Sequence, residues 1–219
     1  MTSVHVFLMN TGSVREELSW WRVKWAQDER YDVTIEGARH RPIASNRNLA
    51  TKRFLAGNAD FMMMIDEDVV PAQTPLDLLQ MDLDICVLPT PMFTPGKTGS
   101  YPIHMNVELL EHPEGLTDGY VLMQPDPLVE IATGGTGCIL IARRVLEHPD
   151  LRMPFMDVYD DDGIRRQTED VMFVRRARQA GFKAWAAMEY RCSHLKEVDL
   201  LLVDYWYRRL INKAEESNA

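Results

Sequence analysis

The chain has 219 residues, 46% of them hydrophobic, enough to bury a substantial core in one compact domain. Its 24 Lys and Arg against 33 Asp and Glu leave a net charge of -9, which opposes general, sequence-independent binding to nucleic acid or anionic membranes. Cys86, Cys138 and Cys192 are odd in number and lack metal-type spacing, so they support neither a disulfide framework nor a zinc knuckle and read as reduced, mostly buried thiols.

Val4 to Leu8 is a short apolar run closed by Asn10-Thr11-Gly12, and Ser13-Val14-Arg15-Glu16 has the spacing of a capping box that opens a helix. Asp32 to Glu36 reads as a brief second strand. Ser45 is placed to cap a helix through Phe54 and Leu55 that stops at Gly57-Asn58. Phe61 to Ile65 follows as an apolar strand. Thr74-Pro75-Leu76-Asp77 joins a cap, a proline in the first helical turn and an acid three residues after the cap, and Ile85 to Leu88 gives another buried strand. This alternation through residue 90 predicts a mostly parallel α/β sheet with right-handed crossovers.

From Pro89 to Asp126 the texture turns to Pro, Gly, Thr and His, which predicts long loops and an antiparallel hairpin beside the main sheet. Ile131-Ala132-Thr133-Gly134-Gly135-Thr136-Gly137 leads into a buried strand from Cys138 to Ala142 and a short helix around Arg143 to Glu147. Thr168 is placed to cap a helix through Ala180 that Gly181 ends, and Lys183 to Ala187 forms the next strand. Leu201, Leu202, Tyr205, Trp206 and Leu210 recur at helical spacing in the tail, which predicts a helix packed on the core. The amino terminus lacks the basic start of a signal peptide and no later apolar run approaches membrane-spanning length, so the expectation is a cytoplasmic protein with no membrane insertion.

The most informative segment is Phe61 to Pro71, where the apolar strand runs into Asp66-Glu67-Asp68. A strand buried on both faces carries its last residues to the sheet's rim, where open α/β sheets bind ligands. If the extended conformation persists, Asp66 and Asp68 share a side while Glu67 points away, and two carboxylates converge on one hard cation. An acidic turn after a core strand is the alternative. Met62, Met63 and Met64 read as core.

Four segments in order, Ser45-Asn46-Arg47-Asn48, Asp66-Glu67-Asp68, Gly134-Gly135-Thr136-Gly137 and Thr168-Glu169-Asp170, with His194 after them, resemble the GT-A superfamily of nucleotide-sugar glycosyltransferases, particularly family 2-like members. The resemblance spans most of residues 4 to 195 and implies a GT-A type, Rossmann-like central sheet flanked by helices, with a small antiparallel element. It implies one domain over 1–219, with a nucleotide-binding half (1–90), an acceptor and catalytic half (91–195) and a carboxyl-terminal helix (196–219).

The same resemblance implies roles. Asp66, Glu67 and Asp68 would lie at the donor nucleotide, with Asp68 and Asp66 on a divalent metal that His194 completes. A divalent cation suits this chemistry because negative charge builds on the departing diphosphate oxygen. Oxygen ligands fit Mn²⁺ or Mg²⁺, and a histidine favours Mn²⁺. Asp170 would be the base that takes the acceptor hydroxyl's proton in an inverting transfer, and Glu169 the neighbour that orients acceptor or base. Acids in a first helical turn also simply complement the helix dipole.

Arg47 is expected to face the nucleotide's base or phosphates, with Arg39, His40, Arg41, Lys52 and Arg53 thickening that basic region. Asn10, Thr11 and Gly12 would form the nucleotide-base loop. Gly134, Gly135 and Thr136 would bring backbone close to sugar and acceptor, although a structural turn explains glycines equally. Their spacing matches neither a Walker loop nor a dinucleotide fingerprint. Arg165, Arg166, Arg175, Arg176 and Arg178 are candidates to face an anionic acceptor, or are a solvated helix surface.

The implied function is metal-dependent sugar transfer from a nucleotide diphosphate, with uridine diphosphate sugars favoured as the family's commonest donors. The acceptor is left open among a small molecule, a glycan, a protein and a modified nucleic-acid base. A sugar-phosphate nucleotidyltransferase would need a glycine-rich loop with arginine and lysine after the first strand, which Asn10 to Arg15 lacks. A noncatalytic protein of the same fold is disfavoured by the presence of Asp66, Asp68, Asp170 and His194 together.

Overall fold

A computed structural model describes residues 1–10, 12, 14–39, 42–93, 103–110, 126–197, 200, 201 and 203–208. In chain order it contains β1 (Ser3–Met9), α1 (Glu16–Ala26), β2 (Asp32–Ala38), α2 (Ile43–Ala56), β3 (Phe61–Asp66) and β4 (Val69–Pro71). A 3₁₀ segment (Pro75–Met81) precedes β5 (Ile85–Val87), β6 (Pro91–Phe93), β7 (Ile103–Met105), β8 (Val107–Leu109), β9 (Leu128–Gly134) and β10 (Cys138–Ala142). Then come α3 (Arg143–Leu146), β11 (Val158–Tyr159), β12 (Arg165–Gln167), α4 (Glu169–Gln179), β13 (Ala184–Ala187) and β14 (Cys192–His194).

One eight-stranded sheet, in the order β2-β1-β3-β10-β5-β13-β9-β8, forms the middle of the molecule. β1 pairs parallel with β2 and β3, and β5 pairs parallel with β13, as the alternation of strands and helices predicts. β10 is inserted antiparallel between β3 and β5, and β9 runs antiparallel to β13. The sheet is therefore mixed. The predicted antiparallel element is present as the β6–β7 pair.

Each of Met62, Met63, Met64 and Ile65 is 0% exposed, because β3 has strands on both edges and α2 packs on β1, β2 and β3. Trp25 and Phe54 bring the buried faces of α1 and α2 into the same core.

Several helix ends differ from the sequence reading. α1 begins at Glu16 with Arg15 at its cap, two residues later than a capping box on Ser13 requires. α2 begins at Ile43, so Ser45 lies inside the helix and caps nothing. The segment after Pro75 is 3₁₀ rather than α, ended by Asp82 at φ 48°, and Thr74 makes no side-chain cap. Gly181 ends α4 at φ +97°, a conformation glycine adopts without steric penalty. The tail is helical at 200, 201 and 203–208; Leu200 and Leu201 are 80% and 79% exposed, Trp206 is partly buried, and Leu202 and Leu210 lie outside the described residues. Among the described residues no helix is long and apolar enough to cross a membrane.

Candidate functional site

β3 delivers Asp66 to the rim of the sheet, where the Asp66 amide donates to the Gly137 carbonyl at 2.9 Å and the Glu67 amide to the Met9 carbonyl at 3.0 Å. The chain then turns at Glu67 and Asp68 before β4. That turn breaks the alternation on which a shared side for Asp66 and Asp68 depended.

The turn separates the two carboxylates into different partnerships. Asp66 faces Arg47, whose Nη2 lies 3.1 Å from both carboxylate oxygens. The Nη1 of Arg47 binds the Glu169 carboxylate. The Arg47 and Glu169 side chains are each 4% exposed, so this triad is nearly closed to water on two of its three sides. Burial pushes the Asp66 and Glu169 carboxyls above the ordinary carboxylate range, against the pull of the guanidinium. The structure thus corrects the expectation that Arg47 faces the nucleotide: it is an internal counter-ion joining the end of β3 to the start of α4.

Its neighbours in α2 have similar joining roles. Asn46 Nδ2 donates to the Ala38 carbonyl at 2.9 Å. Asn48 donates to the Phe155 carbonyl at 2.7 Å and accepts from the Phe155 amide at 3.2 Å.

Asp68 meets a second group. β14 pairs antiparallel with β4, matching His194 to Val69, and the Leu195 amide donates to the Asp68 carbonyl at 2.8 Å. His194 Nε2 lies 3.5 Å from Asp68 Oδ2, and the Lys196 ammonium binds the same oxygen. These partners hold the Asp68 carboxyl well below the ordinary range despite its partial burial.

The other ring nitrogen of His194, Nδ1, is 2.9 Å from the Pro91 carbonyl. A carbonyl only accepts, so Nδ1 carries a proton, and Nε2 is the nitrogen turned to the Asp68 carboxylate, a donor to it when protonated and a lone pair for a cation when not. An imidazole fixed through a backbone carbonyl and facing a carboxylate is a donor set that suits Mn²⁺ or Mg²⁺ sharing its shell with substrate phosphates. Asp68 and His194 therefore fit the implied metal. Asp66, expected as a third ligand, is turned to Arg47, and among the described residues no three His, Cys, Asp or Glu side chains form a ready cluster.

At the start of α4 the acidic pair divides its labour. Glu169 faces inward onto Arg47, whereas Asp170 is half-buried. Asp170 Oδ1 accepts from the Thr168 hydroxyl and, at 2.8 Å, from the Val171 amide, which holds the carboxylate in one orientation. Asp170 is close enough to act electrostatically on both Arg47 and Asp66.

No protein-family model matches the chain, and no curated protein matches it. Among solved structures, A197 from STIV is 20% identical, with 90% of this chain and 87% of that one covered at a TM-score of 0.55. GalNAc-T7, solved with UDP, GalNAc and Mn²⁺, is 13% identical over 90% of this chain and 44% of that one, with a TM-score of 0.48. A glycosyltransferase involved in the glycosylation of the major capsid of PBCV-1 is 12% identical over 66% and 62% of the two chains, with a TM-score of 0.32. The chain has a mixed α/β fold like that of A197 from STIV.

Within that fold the glycine segment is packed against the protein itself. None of Gly134, Gly135 and Gly137 has a positive φ. A Cβ on Gly134 would lie 3.3 Å from Val87, and one on Gly135 would lie 2.6 Å from the side-chain nitrogen Nδ2 of Asn106. Thr136 is 0% exposed. The close approach that calls for glycine here is internal, which favours the structural-turn alternative. Thr11, His40 and Arg41 lie outside the described residues.

The arginine clusters are also engaged at home. Arg165 and Arg166 pair with Asp157 and Asp160, Arg175 with Glu108, and Arg178 with Glu130, while Arg176 donates to the Met153 and Pro154 carbonyls. A cavity of about 700 Å³ at the opposite end of β3, lined by Asp60, Phe61, Arg143 and Glu147 among others, is remote from the acidic rim. Lys196 is the site residue the sequence reading missed. Its signal was the spacing His194-Leu195-Lys196, since side chains two apart on an extended segment share a face.

Proposed function

We propose that this chain is a metal-dependent glycosyltransferase that moves a sugar from a nucleoside diphosphate to an acceptor hydroxyl, with inversion. The observation that carries this reading is the double tie of Arg47 to Asp66 and Glu169, which holds the end of β3 beside the start of α4, where Asp170 lies. In this reading Asp68 and His194 hold the divalent cation, and Arg47 keeps Asp66 and the start of α4 in register. Mn²⁺ or Mg²⁺ bound there stabilises charge on the departing diphosphate oxygen.

Asp170 is the base. Its Oδ1 is occupied by Thr168 and Val171, so Oδ2 is the oxygen that takes the hydroxyl proton. Uridine diphosphate sugars are the favoured donors, on the resemblance stated above. The chain works as one domain, with donor contacts drawn from 1–90 and acceptor contacts from 91–195.

The test is thermal stabilisation of wild type and Asp68→Ala by uridine, guanosine, cytidine and thymidine diphosphates, each with and without Mn²⁺. A shift with one nucleotide that needs metal and is lost in Asp68→Ala is expected. No shift with any nucleotide refutes the donor site.

A further inference from the structure

We infer that Lys196 is a built-in competitor for the cation at Asp68, holding the carboxylate until a divalent ion and an anionic ligand together draw it away. This inference rests on the donor site proposed above and adds a residue and an order of loading to it.

Three observations carry it. The Lys196 ammonium binds Asp68 Oδ2, the same oxygen that faces His194 Nε2, so ammonium and metal claim one position. The contact is built by the backbone: β14 pairs with β4, and the Leu195 amide is fixed on the Asp68 carbonyl at 2.8 Å, which keeps residues 194 and 196 beside Asp68. The side chain is nevertheless free to leave. Lys196 is 53% exposed, and its flexible four-carbon stem can carry the ammonium to a new partner while the main chain stays in place.

The consequence is a coupling. A site whose competent form is only partly populated binds its ligand more weakly by that fraction. Metal alone must displace the ammonium into water. A nucleoside diphosphate offers it phosphate oxygens instead, so metal and nucleotide each tighten the other's binding, reciprocally.

The test is a Mn²⁺ titration of the full chain without nucleotide, read by the electron paramagnetic resonance signal of free Mn²⁺, on wild type, Lys196→Met, Lys196→Arg and Asp68→Asn. Removing a unit charge beside a divalent ion tightens Mn²⁺ binding on the order of tenfold in Lys196→Met. Lys196→Arg stays near wild type, and the gain is absent when Asp68→Asn is combined with Lys196→Met. Mn²⁺ binding in Lys196→Met no tighter than in wild type overturns the competition. If a nucleotide with Mn²⁺ still stabilises the protein in that case, the donor site stands without it. Absence of both Mn²⁺ binding and nucleotide stabilisation in every variant overturns the competition and the donor site together.

Discussion

Replacing Arg47 by Met removes one guanidinium and leaves the Glu169 carboxylate, 4% exposed, facing Asp66 with no counter-ion between them. Breaking a buried ion pair by deleting one partner costs about 3–5 kcal/mol, because the remaining charge is left buried and unpaired. A domain of this size moves its Tm by about 2–4 °C per kcal/mol, so Arg47→Met should melt roughly 6–20 °C below wild type at about pH 8.

The pH dependence is the more specific signature. Burial already raises the Glu169 carboxyl, and losing Arg47 takes away the largest influence that lowers it. A carboxyl whose folded pKa lies above its unfolded value binds protons more tightly when folded, so the folded state loses stability as pH rises through the folded pKa. The Arg47→Met deficit should therefore be smaller near about pH 5, where Glu169 is free to protonate, than near about pH 8. Urea unfolding at both pH values, with the Arg47→Met/Glu169→Gln double variant, checks this. The double variant should recover part of the loss, since an amide is cheaper to bury than an unpaired carboxylate. A deficit under about 1 kcal/mol, or one independent of pH, would show that Arg47 is not the counter-ion described.

Asp170→Asn should lower transfer by about 10²–10⁴-fold while leaving metal-dependent nucleotide stabilisation intact, as measured by turnover beside thermal shift. Gly135→Ala should destabilise by about 1–3 kcal/mol in urea unfolding, because the added Cβ displaces Asn106, whose own carbonyl accepts from the Gly135 amide at 2.7 Å. Asp68, held low by His194 and Lys196, contributes stability that is present above the ordinary carboxylate pKa and lost as pH falls through its depressed folded value. The stability difference between wild type and Asp68→Asn should accordingly narrow on acidification.

Much of the frame was legible because its signals are local. Met62 to Ile65 form an unbroken apolar run that only a strand covered on both faces can bury, and the acids that end it mark the rim. What was not legible depends on distant pairing. Nothing local in Cys138–Ala142 says that it enters the sheet reversed between β3 and β5, and a five-residue apolar strand reads the same in either direction.

The site divides the same way. Asp66, Asp68, Asp170 and His194 were named as candidates from the acidic run and from the resemblance, and they lie at the ends of β3, α4 and β14 or in the turn after β3. Arg47 was named but given the wrong direction, since a cation beside acids looks alike whether it faces a phosphate or a buried Glu169 that is 122 residues away. The turn at Glu67 and Asp68 was the other missing fact, because it alone decides that Asp66 and Asp68 have different partners.

Those partners also fix the charge of the rim. Arg47 and Lys196 supply two positive charges against the five carboxylates of Asp66, Glu67, Asp68, Glu169 and Asp170, a balance of three negative charges if all five are ionised. The raised carboxyls of Asp66 and Glu169 soften that balance without reversing it. A diphosphate approaching alone meets this field and that of a chain whose net charge is -9. In the proposed reading, a divalent cation held by Asp68 and His194 would offset most of this charge, and Lys196, once displaced, would offset part of the diphosphate's. Nucleotide affinity without metal should thus be the quantity most sensitive to added salt, since it alone is opposed by unscreened like charge.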